Sequence, residues 1–195
     1  MQRIAEIKRK TNETQISARL NLDGHGKHEI DTGIGFFDHM LTLFSVHGLV
    51  DIDLTARGDL EVDFHHTVED VGLVLGDALK MALGDRKGIL RYGSALIPMD
   101  DALAQVVIDL SNRPFIVLQL PGDLPPHNGL DSTLAKEFFR SVAHRAGMNL
   151  HINIVYGENW HHMIEAVFKG FGRALRQASS SDPRVAGVPS SKGRL

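Results

Sequence analysis

Apolar and polar residues alternate along TQISARLNLDG, Thr14 to Gly24, and this period of two predicts a strand closed by an Asp-Gly turn. A second short strand is expected at KHEID, Lys27 to Asp31. The period then changes: GFFDHMLTLFSVHG carries Phe37, Met40, Leu41 and Phe44 at helical spacing and stops at Gly48, a C-cap residue. VDIDLTARGD, from Val50, returns to alternation. HHTVEDVGLVLGDALKMALGD, from His65, sets Val71, Val74, Leu75, Ala78, Leu79 and Ala82 on one helical stripe. The same order recurs in ALAQVVIDLSNRP and FIVLQLPG as strands, STLAKEFFRSVAHRAG as helix, NLHINIVYG as strand and HHMIEAVFKGFGRALRQA as helix. Each half therefore reads β-β-α-β-α, an α+β chain built by internal duplication.

Length and composition bound this picture. With 195 residues, 43% of them hydrophobic, the chain can bury one sizeable core, and one compact domain is expected. Its first half spans residues 1–90, its second 91–180, and a tail occupies 181–195. A formal net charge of -3 leaves no broad basic surface for a phosphate backbone, so nucleic acid is not an expected ligand. The absence of cysteine excludes disulfides, zinc knuckles, iron-sulfur clusters and thiol nucleophiles together. MQRIAEIKRK has no apolar h-region and no stretch reaches bilayer length, so a soluble, cytoplasmic protein without membrane contact is expected.

The duplication also doubles a chemical motif. His65, His66 and Glu69 recur as His161, His162 and Glu165 at a constant offset of 96 residues. A single HHxxE at a helix start reads as a solvated helix end with an acidic residue favoured by the helix dipole; recurrence at a constant offset argues for a shared role. Side chains on successive helical residues diverge by about 100°, so adjacent histidines should serve different metals. A glutamate three or four residues on shares a face with either imidazole, as in di-metal helical sites. His39 in FFDHM falls near Glu137 in KEFFRS if an indel of a residue or two is allowed. The eight candidates are five imidazoles and three carboxylates. They suit two roughly six-coordinate ions with open positions, manganese or iron rather than a closed tetrahedral zinc. His25, His28, His47, His127, His144 and His151 lack matching partners and are read as structural, and Phe36, Phe37, Phe138 and Phe139 as core.

Other machinery is missing. No G-x-S-x-G is present, and GHG, GIG and GFG do not extend to a dinucleotide or P-loop signature. An anion would have to use Arg91, Arg113, Lys169 and the terminal PSSKGRL. The Ser-, Pro- and Gly-rich tail reads either as disorder or as hydroxyls, amides and an ammonium offered to a phosphate.

FFDHML, HHTVEDVG, ENWHHMIEAVFK and PSSKG, in this order and in a duplicated frame, resemble the imidazoleglycerol-phosphate dehydratase family of histidine biosynthesis. The resemblance runs from about Arg9 to the C-terminus. It implies that each half is a four-stranded sheet with two helices on one face, similar to the second domain of ribosomal protein S5. It also implies a homo-oligomer of trimers assembled into a 24-mer with sites at subunit interfaces. The implied reaction is metal-dependent dehydration of D-erythro-imidazole glycerol phosphate to imidazole acetol phosphate, through a metal-bound imidazolate, with two Mn2+ per active site. Glu13, in the NET stretch, and Glu165 are the implied proton-transfer residues, while Arg91, Arg113, Lys169, Ser190, Ser191 and Lys192 match positions that hold the substrate phosphate. The chain departs from some members at Glu137, where they carry histidine. Two other classes could use the same ligands: a di-metal hydrolase, and a metal-storing or structural oligomer.

Overall fold

The computed structural model describes residues 3–121, 129–193 and 195. Gly122 at the end of FIVLQLPG, His127, Arg194 and the first two residues lie outside them. The first half comprises β1 (Ile4–Lys10), β2 (Thr14–Asn21), β3 (His28–Asp31), α1 (Gly35–Gly48), β4 (Asp51–Gly58) and α2 (His65–Leu83). The second comprises β5 (Tyr92–Met99), β6 (Ala102–Asp109), β7 (Phe115–Gln119), α3 (Ser132–Ala146), β8 (Asn149–Tyr156) and α4 (Trp160–Ser179). Each half thus opens with one strand more than the hydrophobic pattern predicts. β1 and β5 lie at sheet edges and each fully buries a single position, Ala5 and Gly93, residues too small to stand out as an apolar period.

The sheets have matching orders, β1-β2-β4-β3 and β5-β6-β8-β7, with the last pair in each parallel and the others antiparallel. A parallel pair needs a crossover, and α1 and α3 supply it. Helices α1 and α2 cover the first sheet, α3 and α4 the second. α1 then packs on α4 and α2 on α3, so four helices lie between two outer sheets. Phe37, Phe44, Phe138, Phe139, Phe168 and Phe171 fill the middle, with Phe44 and Phe171 stacked at 4.9 Å between centroids.

Burial registers the repeat residue by residue. The buried positions of α2 reappear in α4 at an offset of 96. Those of α1 (Phe37, Met40, Leu41, Phe44, Ser45, Gly48) reappear in α3 at an offset of 98, as Ala135, Phe138, Phe139, Val142, Ala143 and Ala146. Both helices end at a left-handed residue, Leu49 and Gly147. The offset of 98 makes Glu137 the equivalent of His39. The helix pairs cross closely at equivalent points: a Cβ on Gly172 would stand 2.6 Å from Phe44 O, and one on Gly76 would stand 2.9 Å from Val142 O.

Candidate metal centre and active site

The packing of α1 on α4 brings His39 to the first turns of α4. His39 Nε2 lies 3.0 Å and His161 Nε2 2.8 Å from one carboxylate oxygen, Glu165 Oε1. The other oxygen, Oε2, accepts from Lys169 Nζ at 2.7 Å. All four side chains therefore converge at one end of the α1–α4 seam, with Glu165 itself only 7% exposed. His161 is aimed by its place after Asn159, whose side chain caps α4 by accepting from the His161 N–H. Phe36, expected in the core, is half-buried and sets its ring 5.1 Å from that of His161. Burial raises the Glu165 pKa, but the hydrogen bonds from Lys169, His39 and His161 outweigh it and bring the carboxyl down to about 2. A carboxylate ionised near neutral pH and flanked by two imidazole nitrogens is a donor set for a divalent cation. Among the described residues, His39, His161 and Glu165 form the one group of three such donors close enough to share an ion.

The equivalent group in the other half is more open. His65 Nε2 approaches Glu69 Oε2 at 3.5 Å on the α2 surface, and both side chains are about two-fifths exposed. Glu137 does not join them: its carboxylate is taken by Arg140 Nη1 at 2.8 and 3.0 Å.

His66 and His162 lie outside both groups, as the angular argument for adjacent histidines requires. Each is fixed through Nδ1. His66 Nδ1 lies 3.0 Å from Asp59 Oδ2, and His162 Nδ1 meets Asp101 Oδ1. Asp59 and Asp101, through these hydrogen bonds, raise the affinity of the two imidazoles for protons, and His162 in turn holds the Asp101 carboxyl well below the usual range. A carboxylate on Nδ1 orients the ring and leaves Nε2 as the coordinating atom, the arrangement that commonly backs metal-bound histidine. Neither aspartate was singled out from the sequence. Their signal lies only in position: Asp59 directly follows β4, ahead of α2, and Asp101 sits in the β5–β6 turn.

The basic residues divide. Lys169 is tied to Glu165. Arg91, buried and at φ 73°, makes a two-point pair with Asp109 (2.7 and 3.1 Å) and donates from Nη1 to Pro189 O at 2.8 Å. That contact places the start of the Ser190–Ser191–Lys192 stretch beside Arg91. The tail is strapped to the linker between the halves: Asp182 N donates to Gly88 O and Gly88 N to Gly187 O. Arg113, on the β6–β7 loop, stays exposed: its carbonyl accepts from Asn149 Nδ2 at 2.6 Å, and its guanidinium makes a long contact to Ser111 O. Glu13 lies in the β1–β2 turn with Oε1 3.9 Å from His66 Nε2.

The family model described as imidazoleglycerol-phosphate dehydratase matches residues 32–175. The chain is 56% identical over 192 residues to imidazoleglycerol-phosphate dehydratase of Clostridium botulinum, covering 98% of each. It is 54% identical over 195 residues to that of Acetivibrio thermocellus, covering all of both. Among solved structures, the Staphylococcus aureus dehydratase superposes with a TM-score of 0.83 at 38% identity, covering 92% of this chain and 99% of that one. The Pyrococcus furiosus enzyme, solved with the ligand (S)-C348, gives 0.84 at 39%, covering 97% and 100%. The chain belongs to the imidazoleglycerol-phosphate dehydratase family, whose members are hydro-lyases.

Proposed function

We propose that the chain dehydrates D-erythro-imidazole glycerol phosphate to imidazole acetol phosphate and water in L-histidine biosynthesis. The convergence of His39, His161 and Glu165, in a chain of this family, is the observation that carries the reading. Atom balance defines the task. The product's ketone is on the middle carbon of the arm, so the hydroxyl that leaves is the one beside the ring and the proton lost comes from the middle carbon. The resulting enol then tautomerises.

The donor chemistry fits divalent metal, and the proposed cofactor is manganese, two ions per active site. His39, His161 and Glu165 would hold one; His65, Glu69 and Glu137, their equivalents in the repeat, would hold the other once Glu137 leaves Arg140. His66 and His162 would complete the sets of neighbouring copies. Bound metal supplies Lewis acidity that lets the imidazole ring of the substrate carry negative charge. Glu13 and Glu165 are the proposed proton-transfer groups; Glu165, at the His39–His161 centre, is engaged by three cation or imidazole partners and suits orientation better than proton shuttling, which leaves Glu13 as the group that moves the proton. Arg91, Arg113, Lys169, Ser190, Ser191 and Lys192 are the proposed phosphate-holding residues. The Arg91–Pro189 contact supports the tail's part in this.

Donor sets left open within one chain support an assembly, which we propose as a cytoplasmic homo-oligomer of trimers forming a 24-mer. The outer face of the second sheet presents exposed Tyr92, Leu96 and Phe115, apolar area that a partner copy would cover. No helix among the described residues is long and apolar enough to cross a membrane. Within this reading the C-terminal stretch 181–195 is a substrate-binding tail on one duplicated domain.

The test is product identity. Formation of imidazole acetol phosphate with no inorganic phosphate supports the dehydratase reading, whereas phosphate release without the ketone would establish a di-metal phosphoesterase instead.

A further inference from the structure

The internal repeat exposes one feature that the fold does not need. β1 and β2 map onto β5 and β6 at an offset of 88, with matching burial at Thr14, Ile16, Ala18 and Leu20 and at Ala102, Ala104, Val106 and Ile108. In this frame Glu13 and Asp101 hold the same place in two hairpin turns, and His66 and His162 the same place on two helices. The second turn is fastened by its own carboxylate: Asp101 takes His162 Nδ1 and accepts from the N–H groups of Glu158 and Asn159 at 2.7 and 3.0 Å. In the first half these duties are moved elsewhere. Asp59 takes His66, and the turn is fastened by a polar triple in which Thr14 and Asp70 are buried and Arg9 reaches in from the surface: Thr14 Oγ1 donates to Asp70 Oδ2 at 2.5 Å, and Arg9 Nε donates to Asp70 Oδ1 at 3.0 Å. Thr11 Oγ1 completes the turn by accepting from the N–H groups of Glu13 and Thr14 at 3.1 and 3.0 Å.

Thr14 is 3% and Asp70 7% exposed. At the equivalent positions the second half carries Ile97, Ala102 and Ala166, the last two buried as fully, so the same packing closes without any polar group. A part-buried ion pair is a weak source of stability compared with well-packed apolar residues of similar volume, but it can fix geometry. The Glu13 carboxylate, relieved of the fastening role, keeps only its 3.9 Å approach to His66 among the described residues.

We propose that Arg9, Thr14 and Asp70 form a positioning unit that locks the β1–β2 turn to α2 and so holds Glu13 free at the His66 end of the site. The inference rests on the reading of Glu13 as a reacting group. Thr14→Val removes the hydroxyl with little change of shape, and Thr14→Ser restores it. The expected result is a fall in kcat of at least about tenfold for Thr14→Val, with KM and bound metal near unchanged, and recovery to within a few-fold in Thr14→Ser. In a Glu13→Gln background, Thr14→Val should add no further loss. The combined variant Arg9→Ile, Thr14→Ala, Asp70→Ala imports the set that already packs in the second half, so it should fold and assemble while losing kcat to the same degree. Full kcat in Thr14→Val or in the combined variant would overturn the positioning role, as would equal losses in Thr14→Val and Thr14→Ser or a further loss in the Glu13→Gln background. Full activity in Glu13→Gln alone would instead overturn the reading of Glu13.

Discussion

His39 and His161, carried by helices from opposite halves of the chain, turn their Nε2 atoms onto the same oxygen of Glu165 at 3.0 and 2.8 Å. Such convergence costs side-chain freedom and desolvates a carboxylate, and a shared cation accounts for it. Changing either histidine to Ala should lower bound manganese and reduce dehydration by more than about tenfold, since even groups behind a metal ligand carry effects of that size. Metal content per chain, measured by atomic emission, checks this; unchanged content in both variants would contradict a shared ion.

Glu165 also makes the metal-free protein acid-sensitive. Its pKa falls from 4.5 to about 2 on folding. A depressed carboxyl contributes stability that is present above the unfolded value and lost as pH drops through the folded one, so the loss should fall between about pH 4.5 and pH 2. Its size is at most about 3 kcal/mol. Urea midpoints of chelated protein across that window should fall more steeply than those of Glu165→Gln, and parallel curves would contradict the assignment.

The tail is separable from the metal centre. Lys192 is exposed, and its N–H donates to Ser190 Oγ at 3.2 Å in a turn at the end of the strapped segment. Lys192→Ala is expected to raise KM about tenfold or more, the scale of one charge-assisted hydrogen bond to phosphate, with metal content unchanged. An unaltered KM would remove the tail from the site.

Packing sets a further expectation. A methyl group on Gly172 would press on Phe44 O and Gly48 N, at 2.6 and 2.8 Å, and backbone cannot give way as a flexible side chain can. Gly172→Ala should destabilise by roughly 1–3 kcal/mol, read from the denaturation midpoint. A loss near zero would mean that the α1–α4 crossing can open.

Much of this molecule was legible in the sequence because the repeat doubled its signals. The helices, the inner strands and the HHxxE pairs each carry a period or an offset. β1 and β5 escape the pattern because the only position each buries fully is a small residue, Ala5 or Gly93, which marks no apolar face. The meeting of His39 with His161 needed the α1–α4 crossing, which no spacing reports. Asp59 and Asp101 were invisible because a lone aspartate near a turn reads as solvated. Asp70 stood inside the HHTVED motif and was passed over, although Ala166 at the repeat position marks it as a departure from the repeat. Glu137 matched the register but turns to Arg140 in the single chain, a choice made by local charge rather than by helical position.

Stripping the purified protein with chelator and titrating manganese back, while following imidazole acetol phosphate formation and bound metal together, tests whether the dehydration depends on metal. Stripped protein should show no turnover, and recovery should saturate near two ions per chain. Full turnover without metal, or saturation with metal and no dehydration, would contradict metal-dependent dehydration.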